Sequence, residues 1–288
     1  MDVNDALLPG RLLLRLLSAI LELVTDLLAR VLGSGAVRHR FPLVLSGLVL
    51  FGPLLSFWVS KYSILAKGQH YLYRKFLRST WGWTCIFTGS FIVLLFLSAR
   101  RSSAVCLRHL SRLGVVGLLW WGCRHLLTLL EDAAGACYRP VTGTQAAASG
   151  PILVLHQDQT KVTCLRSNMV WRGYEVSQDL FILSFCCLLL LEEISIFDAA
   201  KSLQSPPGAP LRILFLLCSL LLAMWMFLLL CLLAHFPKFP SQQLGGALGY
   251  LGWRGLYQGW YRLKVSWVCP GLPGDGLLET SETQRPPQ

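Results

Sequence analysis

The sequence has 288 residues, of which 54% are hydrophobic and only 14% are charged, whereas ordinary soluble domains carry about 25% charged residues. This composition excludes a soluble globular protein, and because the apolar residues form blocks near bilayer length, it predicts an all-α polytopic membrane protein. The net charge is +11, but basic residues such as Arg38 and Arg40 lie beside the apolar blocks, where they attract anionic headgroups and help to fix topology. No nucleic-acid-binding module and no nucleic-acid partner are indicated.

Residues 1–40 predict an N-terminal region with an amphipathic helix. The segment 12–32 is apolar, yet the charged residues within it and at its edges fall in one helical stripe about 100° wide. These residues are Arg11, Arg15, Glu22, Asp26 and Arg30. A spanning helix would have to bury that stripe, so a helix lying in the cytosolic interface is favoured over a span.

Six spans are predicted within a transmembrane domain at 41–262. They lie at 41–60, 79–99, 113–130, 180–197, 213–234 and 244–261. Each approaches the roughly 20 residues that an α-helix needs to cross a bilayer. In the first span, Pro42 and Pro53 are expected to cap and kink the helix. In the sixth, four glycines share one helical face and permit close packing against another span. These are Gly245, Gly249, Gly252 and Gly259.

Two spans contain charged residues. Arg124 and His125 lie near the end of the third span, where snorkelling to the interface accommodates them. Glu192 and Glu193 lie in the fourth span. They either mark its cytosolic end or pair inside the membrane with a basic residue such as Arg212.

The longest polar loop, 131–178, is lumenal if residues 1–40 are cytosolic. The basic loop 61–78 is then lumenal as well, which conflicts with the positive-inside rule. Cys137 and Cys164 share the polar loop, so they can form a disulfide if it faces an oxidising lumen. The cysteines show no metal-ligand spacing, so no metal or cofactor site is predicted. The polar, Pro- and Gly-rich tail 263–288 is predicted to be disordered.

Several segments resemble the fat storage-inducing transmembrane (FIT) family, especially its type 1 member. They are FGPLLSFWVS at 51–60, STWGWTCIFTGSFIVLLFL at 79–97, RHLSRLGVVG at 108–117, WRGYEVSQDLFILSFCCLLLLEEISIF at 171–197, GAPLRILFLL at 208–217 and MWMFLLLC at 224–231. They follow the family order, and the segment from WRGY to EE is the most specific. The resemblance implies an endoplasmic reticulum protein with six spans that binds diacylglycerol and triacylglycerol and promotes lipid-droplet formation and fat storage.

The family also implies a possible reaction, because its type 2 member is described as a fatty acyl-CoA diphosphatase that uses two lumenal histidines. The family pattern V-S-x-H-x-F is similar to the stretch 176–181, where Asp179 occupies the first histidine position. The pattern Y-F-H is similar to 235–237, where Pro237 occupies the second. This sequence therefore departs from the family at both positions.

The two replacements argue against the family reaction. Cleavage by such a pair needs one imidazole as nucleophile and another to protonate or orient. Proline can do neither, and aspartate repels an anionic diphosphate. His235 precedes the second position by two residues, about 200° around a helix, and is interpreted as an interfacial anchor.

The sequence therefore predicts neutral-lipid binding without catalysis and with no catalytic residue. The alternative is an acyl-CoA diphosphatase or lipid phosphatase-like hydrolase with rearranged residues. Asp179 is expected to be a helix N-cap. A secondary transporter is disfavoured, because no two related halves with paired broken helices are visible.

Overall fold

The computed structural model describes residues 3–59, 71–100, 102–140, 153–156, 160–172, 175–200, 208–263 and 269–275. The α-helices are α1 (Val3–Gly33), α2 (Gly35–Phe51), α3 (Tyr71–Lys75), α4 (Thr80–Ser98), α5 (Ser103–Ala134), α6 (Lys161–Arg166), α7 (Gln178–Ile194), α8 (Ile196–Ala200), α9 (Ala209–His235) and α10 (Ser241–Trp253). Short 3₁₀ turns extend α2 and precede α4, and a π turn followed by a 3₁₀ turn continues α10 to Arg262. The predicted all-α class is confirmed.

Five helical segments among the described residues are long and apolar enough to cross a membrane. They are Gly35–Phe57, Tyr73–Ser98, Ser103–Ala134, Gln178–Ala199 and Ala209–His235. These match the first five predicted spans in order. The sixth predicted span, 244–261, lies within continuous helix but is not among the five.

Helix α7 is the centre of the bundle. Of its 17 residues, 14 are buried, whereas α5 buries only 4 of 32. It packs against α4, α9 and α10. A helix that is apolar on all sides is typical of a bundle core. Because α4, α9 and α10 all pack on α7, the position of α7 determines how these helices are arranged.

The glycine face of α10 sets the distance between α10 and α7. A Cβ at Gly245 would lie 2.3 Å from the Ser177 carbonyl oxygen, and one at Gly249 would lie 2.7 Å from the Phe181 carbonyl oxygen. Both distances are too short for any side chain. The glycine spacing thus produces the close backbone packing that it predicts, whereas Gly259 lies beyond this contact.

The first span begins earlier than predicted. Ser34 caps α2 by accepting a hydrogen bond from the Val37 amide, so the helix starts at Gly35 and Pro42 lies inside it. Pro42 therefore does not cap the helix. Pro53 lies where the α-helix gives way to the 3₁₀ turn Gly52–Phe57, since proline cannot donate the next helical hydrogen bond.

The polar loop contains a small antiparallel sheet that the sequence did not predict. Its strands are β1 (Ala136–Pro140), β2 (Leu153–His156) and β3 (Val170–Arg172), in the order β2-β1-β3. In register, Cys137 of β1 lies opposite His156 of β2 and Trp171 of β3. Cys137 and Cys164 are joined by a disulfide and are both buried. The disulfide ties the sheet to α6.

The N-terminal helix α1 packs against α8 and α9 rather than standing apart. Its Asp26 and Glu22 lie 3.5 Å and 4.0 Å from the guanidinium of Arg212 on α9. The Thr25 hydroxyl accepts a further hydrogen bond from Arg212, at 3.3 Å. Part of the charged stripe of α1 is therefore paired with the bundle.

Two regions named in the sequence analysis are described only in part. Of the basic loop, residues 61–70 lie outside the described residues. Of the tail 263–288, residues 269–275 contact α5 through their carbonyl oxygens, which accept hydrogen bonds from Arg108 and Arg112. For these seven residues the expectation of disorder differs from the structure, because basic side chains on α5 provide them with donors.

Candidate functional site

The two positions that the family resemblance matches to histidines, Asp179 and Pro237, lie at the same end of the bundle. Asp179 lies in the first turn of α7, and Pro237 lies two residues after the end of α9. The amide of Ser177 donates a 3.1 Å hydrogen bond to the carbonyl of Ser241, which joins the start of α7 to the start of α10. The close packing at Gly245 reinforces this joint. We call this end, residues 175–180 and 235–242, the α7–α10 junction.

Asp179 is exposed and is not the N-cap of α7. The cap is Ser177, whose hydroxyl accepts a hydrogen bond from the Leu180 amide at 3.4 Å, so the sequence expectation for Asp179 was wrong. Two basic residues, Lys238 and Arg124, are near enough to interact electrostatically with Asp179. Lys238 also lies 3.7 Å from Glu175. The junction therefore places cations around Asp179.

A buried glutamine holds the turn that contains Pro237. The side-chain nitrogen of Gln242 donates to the carbonyl oxygens of Phe236 and Leu232 at 2.9 Å and 3.3 Å. Its side-chain oxygen accepts a hydrogen bond from the Lys238 amide at 3.1 Å. Sequence reasoning missed this residue, although an uncharged polar side chain next to a span end is a usable signal. Gln242 fixes the backbone around Pro237, and Pro237 itself offers no proton donor or acceptor side chain.

The charged pair in the fourth span has two separate partners. Glu193 is buried and lies 2.9 Å from Arg112 of α5, which is also buried. Its second carboxylate oxygen accepts a 2.9 Å hydrogen bond from the Tyr257 hydroxyl. Glu192 instead pairs with Arg38 near the surface. Glu193 thus has a buried basic partner, as the second alternative expected, but that partner is Arg112 and not Arg212.

This buried cluster is far from Asp179. Glu193 lies fourteen residues after Asp179 on α7, which is about 21 Å along the helix at 1.5 Å per residue. Every polar contact of Glu193 serves to join α5, α7 and the helix that follows α10. We interpret the cluster as structural.

The third span places its charged residues on the surface. Arg124 and His125 are exposed on α5, and the His125 ring packs edge-on against Trp121 at a centroid distance of 4.5 Å. His235 is half-buried at the last residue of α9. Across the described ranges, no three His, Cys, Asp or Glu side chains gather as metal ligands would.

A groove of about 290 Å³ lies between α2 and α10. It is lined by Leu45, Ser46, Val49, Leu50, Gln243, Gly246, Ala247 and Tyr250. Its lining is mostly apolar, and Gln243 is adjacent to the residue that holds the Pro237 turn. This groove therefore begins close to the α7–α10 junction.

The fold and the junction define a multi-pass α-helical membrane protein. The sequence is 59% identical to fat storage-inducing transmembrane protein 1 of Danio rerio, over 93% of this chain and 94% of that relative. It is 39% identical to the protein of the same name from Homo sapiens, over 96% and 90%. The chain therefore belongs to the fat storage-inducing transmembrane family.

A second group of relatives carries the name of an enzyme. The chain is 29% identical to acyl-coenzyme A diphosphatase FITM2 of Homo sapiens, over 88% of this chain and 93% of that relative. It is 32% identical to the Xenopus tropicalis protein of that name, over 82% and 86%. No family model matches the sequence, and no solved structure gives a significant match.

Proposed function

We propose that this protein binds diacylglycerol and triacylglycerol in the endoplasmic reticulum membrane and promotes lipid-droplet formation without catalysis. The observation that carries the proposal is the α7–α10 junction, which is assembled but presents Asp179 and Pro237 where the family resemblance expects histidines. The name shared by the relatives that are 39% and 59% identical supports a role in fat storage.

The chemistry of the junction supports the absence of turnover. A diphosphate is cleaved by a nucleophile together with a group that transfers or orients a proton. Pro237 can fill neither role. Asp179 carries the same sign of charge as the substrate, so it raises the energy of the approach to phosphorus. The side chains of Ser177 and Gln242 at this end are occupied in hydrogen bonds with backbone groups.

The apolar surface of the bundle supports lipid binding. Large apolar side chains are exposed along α5, and the groove between α2 and α10 is lined mostly by apolar residues. An apolar groove with one or two well-placed polar groups is the usual form of a small-molecule site. Neither feature depends on Asp179 or Pro237, so binding can persist without the family histidines.

The alternative function is an acyl-CoA diphosphatase-like hydrolase. One observation favours it: Lys238 and Arg124 lie around Asp179, and cations at that position would attract an anionic diphosphate. The FITM2 relatives support the same alternative. In that case Asp179 or His235 would have to act in place of the missing imidazoles.

One preparation can test both functions. The protein is purified in detergent, and neutral-lipid binding and acyl-CoA hydrolysis are measured on the same sample. Binding without hydrolysis supports the proposal. Hydrolysis that Asp179→Asn or His235→Ala abolishes would establish the enzyme instead, and a lack of binding would remove the lipid-binding proposal.

A further inference from the structure

The groove between α2 and α10 combines an apolar wall with three polar side chains. The two helices touch at Gly246, where a Cβ would lie 2.5 Å from a methyl group of Val49. Around this contact, Leu45 and Leu50 of α2 and Ala247 of α10 form the apolar wall. Three lining residues carry side-chain polar atoms, namely Ser46, Tyr250 and Gln243.

Of these three, Gln243 differs from the others. The Ser46 hydroxyl donates to the Pro42 carbonyl at 2.8 Å, and the Tyr250 hydroxyl accepts from Arg254 at 3.2 Å. Within the part of the chain that the structure describes, both amide atoms of the Gln243 side chain are buried and have no hydrogen-bond partner. A buried amide with neither its donor nor its acceptor used is strongly unfavourable. A ligand in the groove that offers one acceptor and one donor would supply both missing hydrogen bonds.

We propose that this groove binds the glycerol end of diacylglycerol and that Gln243 recognises its free hydroxyl. The amide oxygen accepts the hydrogen bond of the hydroxyl, and the amide nitrogen donates to an ester carbonyl. Triacylglycerol and phosphatidylcholine have ester carbonyls but no such hydroxyl, so they can satisfy only the donor. The inference rests on the proposed neutral-lipid binding and adds to it a site and a selectivity.

The size of the groove agrees with this occupant. A volume of about 290 Å³ lies just below the range of ligand pockets, roughly 300–1,000 Å³. It suits a glycerol with its ester groups, while the acyl chains continue along the apolar wall toward the bilayer. Gln243 is the third residue of α10, so it lies near the end of the helix, where the glycerol level of a lipid meets the membrane interface.

The test uses the purified full chain in detergent and three lipid probes with the same photoreactive acyl chain: diacylglycerol, triacylglycerol and phosphatidylcholine. The wild-type chain should capture diacylglycerol in preference to the other two. Gln243→Leu should reduce diacylglycerol capture about ten-fold, as expected for two neutral hydrogen bonds. Triacylglycerol, which uses only the amide nitrogen, should lose about three-fold. Ala247→Trp should fill the groove and reduce diacylglycerol capture, whereas Leu251→Trp, an exposed α10 position outside the lining, should not.

A stability measurement separates recognition from a structural role. Without lipid, Gln243→Leu should unfold at the same temperature as the wild type or higher, because it removes an unsatisfied amide. Unchanged diacylglycerol capture in Gln243→Leu, or an equal fall for diacylglycerol and triacylglycerol, would overturn the inference and leave neutral-lipid binding intact. Loss of stability without lipid would also overturn it. A wild-type chain that captures neither neutral lipid would remove the proposed function together with the inference.

Discussion

Arg112 and Glu193 form a buried ion pair, 2.9 Å apart, that joins α5 to the central helix α7. Tyr257 donates a hydrogen bond to the same carboxylate, and the Gly271 carbonyl accepts one from Arg112. Four separate segments of the chain thus meet at one charged centre. A buried pair of this kind is strongly destabilised when only one partner is removed, because the other charge stays buried and unpaired.

We expect Glu193→Gln or Arg112→Met to reduce the free energy of unfolding by about 3–5 kcal/mol. The adjacent residue provides a matched control. Glu192 forms a partly exposed pair with Arg38, so Glu192→Gln should cost less than about 1 kcal/mol. Thermal unfolding in detergent compares the variants, and equal shifts for the two glutamates would contradict the structural role of the cluster.

The α7–α10 contact predicts a strict requirement for two glycines. Gly245→Ala and Gly249→Ala should each destabilise the protein by about 1–3 kcal/mol, because the added methyl would push on the backbone of α7. Gly122→Ala on α5 is the control, since nothing lies within 4 Å of its Cβ position. Size-exclusion profiles and unfolding temperatures should distinguish the two α10 variants from the control. An unchanged unfolding temperature in Gly245→Ala would show that α7 and α10 are not this close.

The Cys137–Cys164 disulfide predicts both a covalent link and an oxidising compartment. Peptide mass spectrometry without reduction should find the two cysteines joined. Cys164→Ser should destabilise the sheet region by about 3–4 kcal/mol for a loop with this separation of 27 residues. Cys123→Ser, at a free and half-buried cysteine of α5, should have little effect. Two free thiols in the native protein would contradict the lumenal assignment of 131–178.

The placement of α1 predicts that both of its ends lie on the same side of the membrane. Single cysteines introduced at 1–10 and at 34–40 should react equally with an impermeant thiol reagent added from the cytosolic side. The pairing of Asp26 with Arg212 provides a second test, because Asp26→Asn should loosen α1 and increase proteolysis between α1 and α2. Labelling of the two ends from opposite sides would make α1 a span.

The helices could be predicted from the sequence because apolar length is a local property. The block at 213–234 lies within the observed span Ala209–His235, and the block at 41–60 overlaps most of the observed span Gly35–Phe57. The glycine face of α10 was visible for the same reason, since four glycines at helical spacing need no knowledge of a partner. Only the structure shows that Gly245 and Gly249 contact the backbone of α7 and that Gly259 does not.

The features that could not be predicted depend either on contacts between residues remote in sequence or on local patterns that are ambiguous. The partner of Glu193 is Arg112, 81 residues away, and several basic residues were equally plausible partners. The three strands are only three to five residues long, too short for a clear alternating pattern. The cap at Ser177 was missed because Asp179 is as good an N-cap by residue type.

The two positions where the family resemblance expects histidines predict what introducing imidazoles there can achieve. The double variant Asp179→His with Pro237→His returns both imidazoles to the α7–α10 junction, and some acyl-CoA hydrolysis is expected. Either change alone should give little, because nucleophile and proton donor act together. Lys238→Met in the double variant should reduce this gain, since it removes a cation near the first position. If either single variant were as active as the double variant, catalysis would not require both imidazoles.

The most direct test of the central claim is acyl-CoA hydrolysis by the unmodified protein, with human acyl-coenzyme A diphosphatase FITM2 as the positive control. Diacylglycerol and triacylglycerol binding is measured on the same preparation to show that the protein is folded. We predict that both neutral lipids bind and that hydrolysis stays at the background rate of a protein-free sample. Robust hydrolysis by the unmodified chain, lost in Asp179→Asn or His235→Ala, would contradict the account and identify an enzyme.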